Sequence, residues 1–287
     1  MRIFLAGGTG FIGSHFLKNI IYDDHFERID LCVNRRLPKI TSSKVMIYRP
    51  CRIDDENILK IEGSYDYIVN FVGIIKETRD KKFEKVHHQG VVNLLKLARK
   101  TGATGFLHIS AAGNAETPYM ETKRKAEEEI ISSGLEYIIL KPSFVLGPDG
   151  EFVKMLKRLL KFSPFLPVIG DGSYHVQPVF VGDLVELARR AILQGITGVY
   201  GACGPDKITY LEFMKRIKEI TGAWQPIVKI PVTFMKTMAK LAGPLSPADT
   251  DQLKMLLSGS FCEEIKLYSI VSLSPLPIDR IIELSFL

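Results

Sequence analysis

Residues 2–13 read Arg2-Ile3-Phe4-Leu5-Ala6-Gly7-Gly8-Thr9-Gly10-Phe11-Ile12-Gly13. An apolar run of strand length stops abruptly at glycine, as a strand buried on both faces does. Gly7, Gly10 and Gly13 then fall at GxxGxxG spacing. From Ile12 to Tyr22 apolar residues recur at helical spacing. Strand, glycine turn and helix in this order make a cradle for a pyrophosphate. Glycine permits the tight turn and the close approach of backbone N–H groups, and the helix N-terminus faces the negative charge. Gly7, Thr9, Gly10, Phe11 and Ile12 are therefore candidate cofactor contacts.

The alternation continues outward from this stretch. Strands are expected at Ile29–Val33, Tyr65–Val72, Phe106–Ser110 and Tyr137–Leu140, and helices at Val86–Lys100 and Lys123–Ser132. Val91, Leu94, Leu95 and Ala98 share one face of the first of these helices. Strand–helix alternation at this pace predicts an α/β fold, a Rossmann-type doubly wound parallel sheet covered by helices on both faces. Beyond Lys141 the rhythm breaks. Prolines recur, Gly170-Asp171-Gly172-Ser173 reads as a turn, and a strand (Val176–Val181) and a helix (Asp183–Gln194) follow. Helices are expected at Tyr210–Thr221 and Thr233–Leu241. The expected division is a cofactor-binding domain over 1–150, to which 176–200 returns. A smaller C-terminal α+β lobe for substrate or partner then comprises 151–175 and 201–287.

Composition narrows the class. The chain has 287 residues, 46% hydrophobic and 24% charged, an ordinary globular balance. Its 38 basic and 32 acidic residues give a net charge of +6. The basic residues are scattered, so anionic ligands suit it and no nucleic-acid partner is expected. No apolar run reaches membrane-spanning length, and the N-terminus does not read as a signal peptide. The four cysteines, Cys32, Cys51, Cys203 and Cys262, form no CxxC pair. They read as reduced thiols in a cytoplasm-like compartment, with no metal site.

The residues after the second strand bear on the choice of cofactor. An acid there would bond a ribose 2′-hydroxyl, whereas arginine accommodates a 2′-phosphate. The sequence is Val33-Asn34-Arg35-Arg36, which favours NADP(H) over NAD(H). Tyr119 and Lys123 form a YxxxK pattern, and residues four apart share a helix face. A lysine ammonium there would lower the tyrosine pKa and fit it to pass a proton. Ser110 ends a strand on the side where open sheets bind ligands, a place to orient a substrate carbonyl. His87-His88 reads as polar surface or helix cap.

These features together resemble the short-chain dehydrogenase/reductase superfamily, in its extended, epimerase/dehydratase-like branch. Lys141-Pro142-Ser143-Phe144-Val145-Leu146-Gly147-Pro148 is similar to the family's RPS-x-V-x-GP stretch, and Gln177–Leu184 to its V-x-V-x-DL segment. Tyr200-Gly201-Ala202-Cys203-Gly204-Pro205 resembles its YxxGGP segment. Val69-Asn70-Phe71-Val72-Gly73-Ile74 and Asp249–Leu256 resemble the atypical branch that includes the dehydrogenase-like accessory subunit of respiratory complex I and its bacterial relatives. The resemblance implies a cofactor held also by Asn70, Val72, Gly73, Pro142 and Ser143, with Tyr119 and Lys123 at the nicotinamide. Substrate would occupy the cleft between lobes.

Three departures stand out. His87 occupies the place of a family asparagine, Ser110 and Tyr119 are separated by only eight residues, and Arg52 stands where relatives carry an adenine-contacting Asp. Arg52 is a further argument for NADP(H), with Asp54 an alternative adenine contact. Two readings follow. One is an NADP(H)-dependent oxidoreductase acting on a small carbonyl or quinone-like substrate, with Phe144, Phe152, Phe162, Phe165, Tyr174 and Trp224 as candidate lining. The other is a catalytically silent cofactor-binding protein serving assembly, structure or redox sensing, with a respiratory or quinone-linked complex as partner. In that second case Met235, Met238, Leu241 and Ala242, backed by Lys236 and Lys240, would dock a partner or a membrane surface. Localisation is expected to be cytoplasmic or peripheral to an inner membrane, as monomer or homodimer. A sugar-nucleotide epimerase or dehydratase ranks behind both, because residues 151–287 hold only five arginines for a second pyrophosphate.

Overall fold

In the first half of the chain the expected strands form with bounds within two residues of those read from the sequence, and one unexpected strand, at Val45–Tyr48, joins them. A computed structural model describes residues 1–235, 237 and 250–287. The strands are β1 (Arg2–Ala6), β2 (Arg28–Cys32), β3 (Val45–Tyr48), β4 (Tyr67–Asn70), β5 (Gly105–Ile109), β6 (Glu136–Lys141), β7 (Val145–Leu146), β8 (Leu166–Ile169), β9 (His175–Val176), β10 (Val179–Phe180), β11 (Gly198–Gly201), β12 (Ile208–Thr209) and β13 (Ile227–Ile230). The helices are α1 (Phe11–Ile20), α2 (Gly90–Thr101), α3 (Pro118–Ile131), α4 (Glu151–Phe162), α5 (Val181–Leu193), α6 (Tyr210–Thr221), α7 (Thr250–Leu257), α8 (Lys266–Ile270) and α9 (Ile278–Phe286).

Seven strands form one parallel sheet in the order β3-β2-β1-β4-β5-β6-β11. The direction of winding reverses between β1 and β4, and ligands bind outside the carboxyl ends of strands at such a point. Alternate residues of β1 serve opposite faces. Ile3 and Leu5 join α1 and α5 in one core, and Phe4 and Ala6 join α2 and α3 in the other. Both faces being buried explains why β1 carries no polar alternation. A third core, around Leu146, Val153, Leu156, Phe213, Ile217 and Ile281, unites α4, α6 and α9 with the small pairs β8–β13 and β9–β12.

Several expectations need correction. Residues 176–181 do not form one strand. The chain breaks between β9 and β10 at Gln177-Pro178, where the Gln177 side chain donates to Gly204 O and accepts from Cys262 N. Helix α3 starts five residues before Lys123, because Thr117 caps it and Pro118 takes its first turn. The helix expected from Val86 is α-helical only from Gly90, after a π-helical turn over Glu84–Gln89. The four cysteines are paired, Cys32 with Cys51 and Cys203 with Cys262, rather than reduced. Strand pairing sets the first two side by side, since Cys51 N donates to Val33 O next to Cys32. Most of the segment Thr233–Leu241, and with it Lys236, Met238, Lys240 and Ala242, lies outside the described residues. Among the described residues, no helix is long and apolar enough to cross a membrane.

Candidate functional site

The glycine turn is locked by its own backbone. Gly10 N donates to Gly7 O at 2.9 Å, and Gly7 has φ +81°, a conformation that favours glycine. A Cβ on Gly7 would stand 2.7 Å from Phe71 C and 2.8 Å from Val72 N, so the turn packs directly on the chain leaving β4. A Cβ on Gly13 would stand 2.2 Å from Gly7 O, which lets α1 close on the turn. Gly10 is the least crowded of the three, although a Cβ there would still press on Gly7 O at 3.2 Å. The first turn of α1 carries no acidic residue and no side-chain cap, which leaves its N–H groups free for an anion.

A cavity of about 250 Å³ extends from this turn. Gly7, Thr9, Gly10, Asn34, Arg52, Val72 and Gly73 line it, together with Cys32, Cys51, Ile53, Asp54 and Lys81. Phe11 and Ile12 are not among its lining. The Phe11 ring lies against Gly147 and Gly150, and Ile12 packs on the core. Arg35 and Arg36 are exposed just beyond Asn34, outside the lining. Arg52 faces the cavity but is engaged by Asp54 through two hydrogen bonds, of 3.0 and 2.6 Å. That pair holds the Asp54 carboxyl below its usual range. Asn70 lies behind the cavity. Its Oδ1 accepts from Val72 N at 2.9 Å and its amide meets His108 Nδ1 at 3.1 Å, fixing the backbone that carries Val72 and Gly73. The Cys32–Cys51 disulfide forms part of the same wall and ties the end of β2 to the loop before Arg52.

Gly73 leads from the cradle to the Tyr119–Lys123 helix. A Cβ on Gly73 would lie 3.6 Å from Lys123 Nζ and 4.0 Å from His87 Nε2. Lys123 is buried and donates to Ile109 O at the end of β5, 2.9 Å away. Burial holds its pKa down at about 8, opposed by the nearby Glu127. Tyr119 stands edge-on to the rings of Phe83 and His87. Burial pushes its pKa up to about 12, so the expected lowering by Lys123 does not occur in the free protein. The ammonium is turned to the Ile109 carbonyl instead.

His87 is no surface residue. It is buried, its Nε2 accepts from Ile74 N at 3.1 Å, and its Nδ1 lies 3.1 Å from Thr122 Oγ1. Nε2 as acceptor places the proton on Nδ1. Burial, then the Lys123 ammonium, push its pKa down to about 3, so the ring is neutral at ordinary pH. Its signal in the sequence was position, four residues before Val91 on the apolar stripe of α2. His88 is the surface member and pairs with Glu84 and Glu129.

A buried ammonium costs stability. Lys123→Met should therefore raise the stability of the cofactor-free protein at pH 7 by about 2 kcal/mol. A lowered lysine pKa makes the folded state bind fewer protons than the unfolded one between pH 8 and 10.5. Wild-type stability should thus gain across that window from this group, and the variant should lack the gain. Denaturant melts at pH 7 and pH 10 would measure both effects.

Ser110 is buried. Its hydroxyl donates to Glu127, and Glu127 also takes Lys141 Nζ at 2.9 Å. The serine expected to orient substrate is thus spent on a carboxylate one turn beyond Lys123. Pro142 and Ser143 follow β6. Pro142 O accepts from Ala112 N, and Ser143 Oγ donates to Ser260 O. Ser260 Oγ in turn donates to Ala112 O, so residues 258–262 lie across the ends of β5 and β6, tethered by Cys203–Cys262. Nothing in the sequence pointed to Glu127 or Ser260. Of the aromatics expected to line a pocket, Phe144 and Phe152 pack edge to face and Tyr174 stacks on Tyr210, whereas Phe162 and Trp224 are exposed. Among the described residues, no group of acidic, histidine or cysteine side chains is arranged to hold a metal.

Comparison with known proteins finds relatives in sequence and in fold. The sequence model of the NAD dependent epimerase/dehydratase family matches residues 3–201. The chain is 25% identical over 193 residues to the mitochondrial NADH dehydrogenase (ubiquinone) 1 alpha subcomplex subunit 9 of Arabidopsis thaliana. That match covers 65% of this chain but only 48% of the relative, about half its length. It is 23% identical over 233 residues to the ceramide reductase of Caulobacter vibrioides, covering 79% and 73% of the two chains. The UDP-glucose 4-epimerase of Thermotoga maritima shares the fold with a TM-score of 0.75, at 21% identity over 99% of this chain and 97% of that one. The Thermus thermophilus enzyme, solved with NAD, gives 0.76 at 19% identity, over 99% and 97%.

Proposed function

Because the chain belongs to the NAD dependent epimerase/dehydratase family, we propose that it binds NADP(H) in the cleft described above and transfers hydride to or from a small carbonyl or quinone-like substrate. The observation that carries this reading is the single path from the glycine cradle through Gly73 to Lys123, with Gly73 backbone beside the ammonium. The cradle fits a dinucleotide: the first turn of α1 carries no acidic residue and no side-chain cap, and at Gly7 and Gly13 a Cβ would strike backbone, so only glycine lets turn and helix close on each other. Bound nicotinamide supplies the hydride. The chain supplies the rest. Gly7, Thr9 and Gly10 with the start of α1 hold phosphate, and Lys123 holds the ribose next to it. The Tyr119 hydroxyl gives its proton to the substrate oxygen in reduction and takes it back in oxidation.

The preference for the phosphorylated cofactor rests on Arg35 and Arg36, exposed after Asn34 with no ion-pair partner among the described residues. Nicotinamide fluorescence titrations should find NADPH bound at least about tenfold more tightly than NADH. Arg35→Ala/Arg36→Ala should weaken NADPH by about tenfold and leave NADH within about twofold, since a charge-assisted phosphate contact is what is removed. Equal affinity for the two cofactors would sink the preference.

The second reading, a silent cofactor-binding subunit of a larger complex, has its own support. The Ser110 hydroxyl is occupied by Glu127, and residues 258–262 cross the strand ends beside Ser143. Tight NADPH binding without turnover on any carbonyl or quinone tried would favour it.

A further inference from the structure

Helix α4 uses only one of its faces in the fold. Val153 and Leu156 are buried and Phe152 packs on Phe144 and Phe213. Apart from Glu151 and exposed Met155, the outward side of the helix is basic. Lys154 engages Glu151 at 3.0 Å, while Lys157, Arg158 and Lys161 are exposed and make no ion pair among the described residues. The C-terminal end is aromatic and bare. Phe162 is 76% exposed, with the Lys161 ammonium 5.2 Å from its ring centroid, and Phe165 is 36% exposed.

A distant part of the chain adds a third ring. Buried Gln225 donates its amide to Leu160 O, and Leu166 N donates to Pro226 O at 2.9 Å, which brings residue 224 to the same end of α4. Trp224 is 73% exposed there. Exposed apolar side chains are ordinary when scattered singly, but three aromatics gathered at one helix end, beside unpaired cations, mark a contact surface. A basic stripe beside exposed Trp and Phe is the chemistry of the lipid interface. Aromatic rings enter the boundary between headgroups and acyl chains, and long cationic side chains reach lipid phosphates.

We propose that this end of α4 docks on an anionic membrane surface, with Phe162 and Trp224 entering the interface and Lys157, Arg158 and Lys161 bound to lipid phosphates. The charge is complementary to anionic lipid, and the bare rings separate this surface from one built for a soluble polyanion, which needs no apolar component.

Flotation of the full chain with vesicles of phosphatidylcholine, alone or mixed equally with phosphatidylglycerol, tests it. The protein should float with the mixed vesicles only, and less as salt is raised. Trp224 is the single tryptophan of the chain, so its emission should shift to the blue on binding. Lys157→Glu/Lys161→Glu should weaken binding by about tenfold or more. Phe162→Ser/Trp224→Ser should weaken it by about tenfold at unchanged charge. Unaltered thermal melts would show that both variants fold. No flotation with anionic vesicles overturns the proposal, as does flotation indifferent to both variants. Binding to heparin as tight as to vesicles, with the Trp224 emission unmoved, also overturns it and assigns the patch to a soluble polyanion.

Discussion

Tyr119→Phe should lower turnover by about 10³-fold while leaving the affinity for NADPH within about twofold, as expected for loss of a proton donor that acts only in the reacting state. Phenylalanine keeps the ring that stands against Phe83 and His87, so the variant removes a hydroxyl and little else. Single-turnover oxidation of bound NADPH, with a carbonyl or quinone as acceptor, measures the loss directly. The pH dependence adds a second readout. Burial keeps the Tyr119 pKa at about 12, so the phenol is the populated form at neutral pH. Reduction, which needs the phenol, should not fall through titration of Tyr119 between pH 6 and 9. Oxidation, which needs the phenolate, should rise with pH over the same range. Turnover that survives the substitution would move the proton to another group and remove Tyr119 from the chemistry.

Gly7→Ala should weaken cofactor binding by about 100-fold, or roughly 2.7 kcal/mol. Two costs combine at this residue. Its φ of +81° strains any side chain, and the added Cβ would stand 2.7 Å from Phe71 C and 2.8 Å from Val72 N. Neither backbone atom can swing aside as a side chain would, so the turn or the Val72–Gly73 strip must shift. Both belong to the proposed site. Gly102→Ala is the matched control. It has φ +70° and nothing within 4 Å of its Cβ, so it should cost about 1 kcal/mol of stability and leave binding unchanged. Normal NADPH affinity in Gly7→Ala would mean that the cofactor does not sit on this turn.

Local signals were legible in the sequence and distant ones were not. The β1–turn–α1 unit could be read because its strand, glycines and helix lie within 20 residues and each piece implies the next. Tyr119 and Lys123 were legible for the same reason, as two side chains on one helical face. The partners that set their chemistry come from elsewhere. Glu127 claims the hydroxyl of Ser110, and the carbonyl of Ile109 claims the ammonium of Lys123. No spacing in a single sequence discloses such pairs. Helix α4 was missed because its basic face and proline-rich surroundings resemble a loop, although Val153, Leu156 and Phe152 give it a buried side. The cysteines were misread because their separations of 19 and 59 residues carry no motif, and only strand pairing and the return of residues 258–262 bring them together.

That return sets an order of events on the ribosome. The turn at Gly7, the strip at Gly73 and the wall at Cys32 and Cys51 all lie within residues 7–73, but β1 beneath them is buried by α5. The opposite end of the cleft closes only when Ser260 reaches Ser143 and Ala112, 117 and 148 residues back. Contacts of such span form late. The cradle end would therefore take shape once α5 has joined the sheet, and the reacting end waits for residues 258–262. A dinucleotide held by the native sheet and not by the unfolded chain would stabilise that sheet by mass action.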